Sequence, residues 1–168
     1  FLVFLSHAKS YMNLSGPYHN TYLFISSFLN QAIVVTFLFY SGFGVMESIK
    51  RKGHNYLNTF PKKIITLFIQ VDIAVFLFLL TNMIIGNTIT LKNFLFALTT
   101  LGSIGNSNWY ITAIIILYFF TLICFKSLKN NWLSLLLLTL LTMGVVYISM
   151  TIDRPTYTYN TIICYPFG

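Results

Sequence analysis

The feature that most restricts this chain is a set of apolar runs, each long enough to cross about 30 Å of hydrocarbon, a length that takes roughly 20 helical residues. The cleanest is Ile64 to Ile85, in which Asp72 is the single charged residue. Two more run from Trp109 to Phe125 and from Trp132 to Met150, and a further apolar stretch extends from Tyr22 to Met46. Only helices and closed barrels satisfy every backbone N–H and C=O inside lipid, and continuous apolar runs of this length select the helix. The expected fold class is all-α: a polytopic transmembrane helix bundle forming a single membrane-embedded domain over residues 1–168, with the first and last helices incomplete at the two ends of the sequence.

Composition agrees: 57% of residues are hydrophobic and 8% charged, against about a quarter charged in a soluble domain. The net charge of +7 does not mark a nucleic-acid binder, because half of the ten basic residues fall in one short stretch, Lys50, Arg51, Lys52, Lys62 and Lys63. Clustered lysine and arginine between two spans is the signature of a cytoplasmic loop. Cys124 and Cys164 lie in apolar surroundings without CxxC or Cys/His spacing, so neither a disulfide framework nor a metal site is expected.

Residues 1 to 12 read as the outer part of a first span, and residues 13 to 21, with Gly16 and Pro17, as a loop. Between Tyr22 and Met46 the apolar pattern is broken by Ser26, Ser27, Asn30 and Gln31. One long tilted span accounts for this, and so does an interfacial piece feeding a span from Ala32; the second is the expectation taken here. Pro61 is placed in the first turn of the next helix, where its missing N–H costs nothing. Residues 93 to 102 are too short to cross and suit a re-entrant or interfacial segment. With residues 47 to 63 cytoplasmic, Lys126 and Lys129 return to the same side only if 93 to 102 does not cross.

Several residues can carry chemistry. His7 is an ionisable group at membrane depth, flanked by Ser6 and Ser10; a neutral imidazole there either accepts a hydroxyl proton or packs against a neighbouring helix. Asp72, inside its span, must face protein or water and either holds a polar partner or binds a cation. Gln70 and Asn82 are interhelical hydrogen-bonding groups by default. Ser41, Gly42 and Gly44 let a backbone or a ligand approach closely. In GNSNWY, residues 105 to 110, Asn108 is placed to cap the helix beginning at Trp109, while Asn106 and Ser107 offer exposed polar groups. His19 and His54 read as solvated loop residues, and Asn13-Leu14-Ser15 matches a glycosylation pattern.

Taken in order, His7, FLFYSGFGVMESIKRKG at 37 to 53, FPKKI at 60 to 64, GNSNWYI at 105 to 111 and YNTIICYPFG at 159 to 168 resemble the acyltransferase 3 family, in its bacterial, Firmicutes-type form. The resemblance implies a multi-pass enzyme of the cell membrane that moves an acyl group, commonly acetyl, from cytoplasmic acyl-CoA to a hydroxyl of a surface or exported saccharide. No cofactor is held; acyl-CoA is a co-substrate, and membrane lipid and the saccharide are the other expected partners. It further implies His7 as catalytic residue, with Ser41, Gly42, Lys62 and Lys63 toward the acyl donor and Asn106, Asn108 and Trp109 toward the acceptor. The family's arginine three turns before its histidine would precede Phe1, and lysines stand at 62 and 63 where many members carry arginine. The reading from another class is a polytopic transporter or a non-enzymatic membrane component, with Asp72 and His7 lining a path.

Overall fold

The computed structural model describes residues 16–105 and 108–168, the side chain of Asn30 excepted. The described residues are all-α. The helices are α1 (His19–Lys52), α2 (Phe60–Ile85), α3 (Leu91–Leu98), α4 (Trp109–Ser127) and α5 (Asn131–Thr151), with 3-10 turns at His54–Thr59, Thr156–Thr158 and Ile162–Cys164. Four stretches are long and apolar enough to cross a membrane: α1, the 3-10 turn with α2, α4 and α5. This is the pattern of a multi-pass membrane protein.

Helix α1 corrects the expectation of a separate interfacial piece before Ala32. It is one helix of 34 residues, about 51 Å at 1.5 Å per residue. Its polar residues do not interrupt it: Ser27 Oγ donates to Phe24 O at 2.8 Å and, further on, Thr36 Oγ1 to Ala32 O at 2.8 Å, while the buried Ser26 hydroxyl has no partner among the described residues. Such back-bonding keeps a hydroxyl satisfied within its own helix. Gly53 then stops the helix in the left-handed region, φ 66°, its amide on Ile49 O at 2.8 Å.

By contact the chain forms two compact units, one of residues up to Met46 with Met143–Gly168 and one of Glu47–Thr142. In the first, the 155–168 segment packs against α1 at its smallest residue. A side-chain carbon on Gly42 would collide with the carbonyl of Tyr165, and one on Gly168 with the carbonyl of Phe39. Gly42 is thus the close-approach position expected from sequence, and the visitor is the chain's own backbone. Tyr165, Ile162 and Tyr159 are buried.

In the second unit, Pro61 sits in the first turn of α2 as expected, and Gly86, φ 86°, closes the helix by donating to Asn82 and Met83 carbonyls. The short α3 is capped by Thr90, whose Oγ1 accepts from Asn93 N at 3.3 Å. At eight residues it cannot cross. It folds back on α2 instead: Ala97 and Ile104 are buried with Val71 and Val75, and the rings of Phe76 and Phe94 meet edge to face at 5.4 Å. Val75 lies ten residues, about 15 Å, from the end of α2, so residues 91–105 fold back along α2 to about its middle.

Helices α4 and α5 form a hairpin whose turn is held by Asn130 Oδ1, which accepts from Trp132 N at 2.9 Å. Ser134, fully buried, donates toward the carbonyls of Asn130, Cys124 and Leu128 at 3.0 to 3.3 Å. Ser134, Leu138 and Thr142 make one buried stripe on α5, while Leu136 and Leu140 are exposed. Ser134 and Thr142 face inward with Leu138 between them, and Leu136 and Leu140 face outward, which suits a membrane because lipid tails are as apolar as leucine.

Candidate functional site

Two ends of the second unit hold the polar residues. The first lies where α1 stops, α2 starts and α4 stops. The buried ring of Tyr56 stands at its centre. Lys63 turns back from α2 to hydrogen-bond the Tyr56 hydroxyl, with its Nζ 4.4 Å from the ring centroid. Lys52 Nζ lies 5.8 Å from the same centroid. A lysine that bends its chain toward the helix end keeps its ammonium in polar surroundings while its methylenes stay against apolar surface. Phe60 packs edge to face on Tyr56 at 5.6 Å and on Tyr118 at 5.5 Å, which seats the turn against α4. Lys62 is exposed.

His54, expected to be simply solvated, ties the two helix ends together: its Nδ1 lies 3.1 Å from the carbonyl of Phe125. That carbonyl belongs to the last turns of α4, where acceptors lack helical partners. Glu47 is engaged by Arg51 Nε at 2.9 Å. His19, also assigned to a loop from sequence, is the first residue of α1, with its Nδ1 buried and unbonded among the described residues.

At the other end the unwound stretch between α3 and α4 is stitched by amides and hydroxyls. Asn108 occupies the cap position of α4, yet its side chain makes no cap hydrogen bond, contrary to the expectation from sequence. Its Nδ2 instead donates to the carbonyls of Thr100, at 2.7 Å, and Gly102. Thr112 Oγ1 adds a second donor to Thr100 O at 2.7 Å. These bonds hold Thr100, buried, at φ 63°, a left-handed conformation that a β-branched residue adopts only when its surroundings impose it. From α2, Asn82 Nδ2 donates to Ile104 O at 3.0 Å and Asn82 Oδ1 accepts from Asn87 at 3.0 Å, so its partners are loop residues rather than the neighbouring helix expected from sequence. Non-helical backbone at membrane depth needs such internal donors, because lipid supplies none.

Of the residues named from sequence, Lys62 and Lys63 stand at the first end and Asn108 and Trp109, both half-buried, at the second. Ser41 and Gly42 belong to the other unit, Ser41 half-buried and Gly42 covered by Tyr165. His7, Asn106, Ser107 and Asn13-Leu14-Ser15 lie outside the described residues. Asp72 has a buried Oδ1 with no hydrogen-bond partner among the described residues; on a helical wheel it falls near Val75 and Leu79, which face the re-entrant segment. Tyr56 and His54 carry the geometry of the basic end without having stood out as site residues, and an aromatic between two lysine groups was the available signal. No family model, curated protein or solved structure matches this chain.

Proposed function

We propose that the protein is a membrane O-acyltransferase that moves an acyl group, acetyl in the simplest case, from acyl-CoA to a hydroxyl of a surface or exported saccharide. The observation that supports it most is the separation of two unlike polar ends within one membrane unit: lysines around Tyr56 at one, an amide-lined re-entrant stretch ending in Trp109 at the other. A polyanionic thioester suits the first, and a neutral polyol, recognised by amides and an aromatic face, suits the second. Donor and acceptor thus enter from opposite sides, with the 50–63 stretch cytoplasmic by its positive charge and the membrane being the cell membrane.

In this scheme His7 takes the proton of the acceptor hydroxyl as its oxygen attacks the thioester carbonyl. The C–S bond breaks, and the CoA thiolate leaves and is reprotonated. Lys62 and Lys63 hold donor phosphates as point charges rather than through a bidentate fork. The resemblance gives Ser41 and Gly42 to the donor as well; Gly42 seats the 165–168 backbone on α1. Asn106 and Trp109 face the sugar, and Asn108 shapes the loop that presents them.

Mass spectrometry of surface polysaccharides from cells expressing the protein, its His7→Ala form or neither tests this. The expected result is an acyl mass increment lost in the variant at equal membrane abundance. Absence of any acyl increment and of acyl-CoA turnover with well-folded protein contradicts it. One observation favours a transporter instead: the unpartnered carboxyl oxygen of Asp72. That reading predicts gradient-driven flux abolished by Asp72→Asn and indifferent to acyl-CoA.

A further inference from the structure

Seven of the ten lysines and arginines gather at the basic end of the second unit, and they are there for a structural reason. Lys50 to Lys52 form the last turn of α1, Lys126 lies in the last turn of α4, and Lys129 follows in the turn to α5. The contact of His54 Nδ1 with Phe125 O joins the residue just past Gly53 to the residue just before Lys126. Two basic segments far apart in sequence therefore make one surface. Glu47 is the carboxylate of that surface among the described residues, and Arg51 already engages it. Lys50, Lys52, Lys126 and Lys129 are exposed and enter no ion pair among the described residues.

Their place at the ends of apolar helices names the partner. Each stands where an apolar helix ends, so its ammonium reaches the level of lipid headgroups while its methylenes rest on apolar surface. Lysines as flexible point charges suit mobile phosphodiesters. We infer that Lys50, Lys126 and Lys129 bind the headgroups of anionic phospholipids in the adjoining leaflet, separately from the donor contacts of Lys62 and Lys63 and from Lys52 beside Tyr56. The inference rests on the membrane reading and on the His54 tie, and it stands or falls independently of acyl transfer.

Native mass spectrometry of the full chain in micelles of phosphatidylcholine with phosphatidylglycerol counts the lipids retained. Phosphatidylglycerol is expected to be preferred, and Lys126→Gln with Lys129→Gln to weaken that preference by about 5-fold per cation removed. Lys92→Gln, at the start of α3, is expected to leave it unchanged. An unaltered preference in the double variant at normal helicity, or an equal loss in Lys92→Gln, overturns the proposal. Should the double variant not fold, the unaltered protein decides: raising ionic strength from about 0.1 M to about 1 M shortens the screening length from about 10 Å to about 3 Å and should abolish the preference. A preference undiminished by salt contradicts the assignment. Excess acyl-CoA should leave the bound phosphatidylglycerol in place; its displacement would give the surface to the soluble donor instead.

Discussion

The two ends of the Glu47–Thr142 unit solve different problems with different side chains. At the basic end, long lysines reach Tyr56 and the helix termini, and most of their charge stays exposed. At the re-entrant end, short amides and hydroxyls bond specific carbonyls within an unwound backbone. Exposed charges are screened and contribute little to stability, but they bias which side of the membrane a loop occupies. Amides beside buried carbonyls replace water that lipid does not provide, so their loss is felt in the fold. One end therefore keeps its charge exposed, and the other fixes the shape of its backbone.

Asn108→Leu should break this division most severely. It leaves the Gly102 carbonyl without its donor and removes one of the two on Thr100, at a cost of about 1–3 kcal/mol. Loss of helicity during denaturant titration in micelles, followed by circular dichroism, measures it. Asn82→Ala should come next, at about 1 kcal/mol, by freeing Ile104 O. Tyr56→Phe keeps the ring over which Lys63 lies and removes only the hydroxyl, so a loss of about 0.5 kcal/mol is expected. Arg51→Ala breaks an exposed i, i+4 pair and should shift the midpoint by about 0.3 kcal/mol at most. A ranking in which the Tyr56 or Arg51 variant exceeds that of Asn108 would erase the distinction between the ends.

Much of the helical layout was legible because apolar run length is a direct reading of bilayer thickness: α2, α4 and α5 fall within a few residues of the runs at 64–85, 109–125 and 132–150. The failure of residues 93–102 to cross was legible for the same reason. The continuity of α1 was not, because Ser26, Ser27 and Gln31 look like interruptions until Ser27 is seen bonding within its own helix. Asn108 fits a local capping pattern, whereas its actual acceptors lie six and eight residues back. His54 meets a carbonyl 71 residues away, and no local pattern carries that. Gly42 announced a close approach, but Tyr165 as the visitor comes from the far end of the chain. Of the proposed catalytic constellation, the lysines, Asn108 and Trp109 can be placed, while His7 and Asn106 lie outside the described residues.

The proposed function requires one parity of the spans: the turns at 53–59 and 128–130 on one side, and 86–90 on the other, with α3 not crossing. Single cysteines at Asn55, Asn130 and Asn87 in a Cys124→Ala, Cys164→Ala background, labelled from outside intact cells by an impermeant maleimide, read it directly. Labelling at residue 87 alone, with 55 and 130 reacting only after permeabilisation, is the predicted result. Labelling of 130 but not 55 from outside would mean that 91–98 completes a crossing, and would contradict the account.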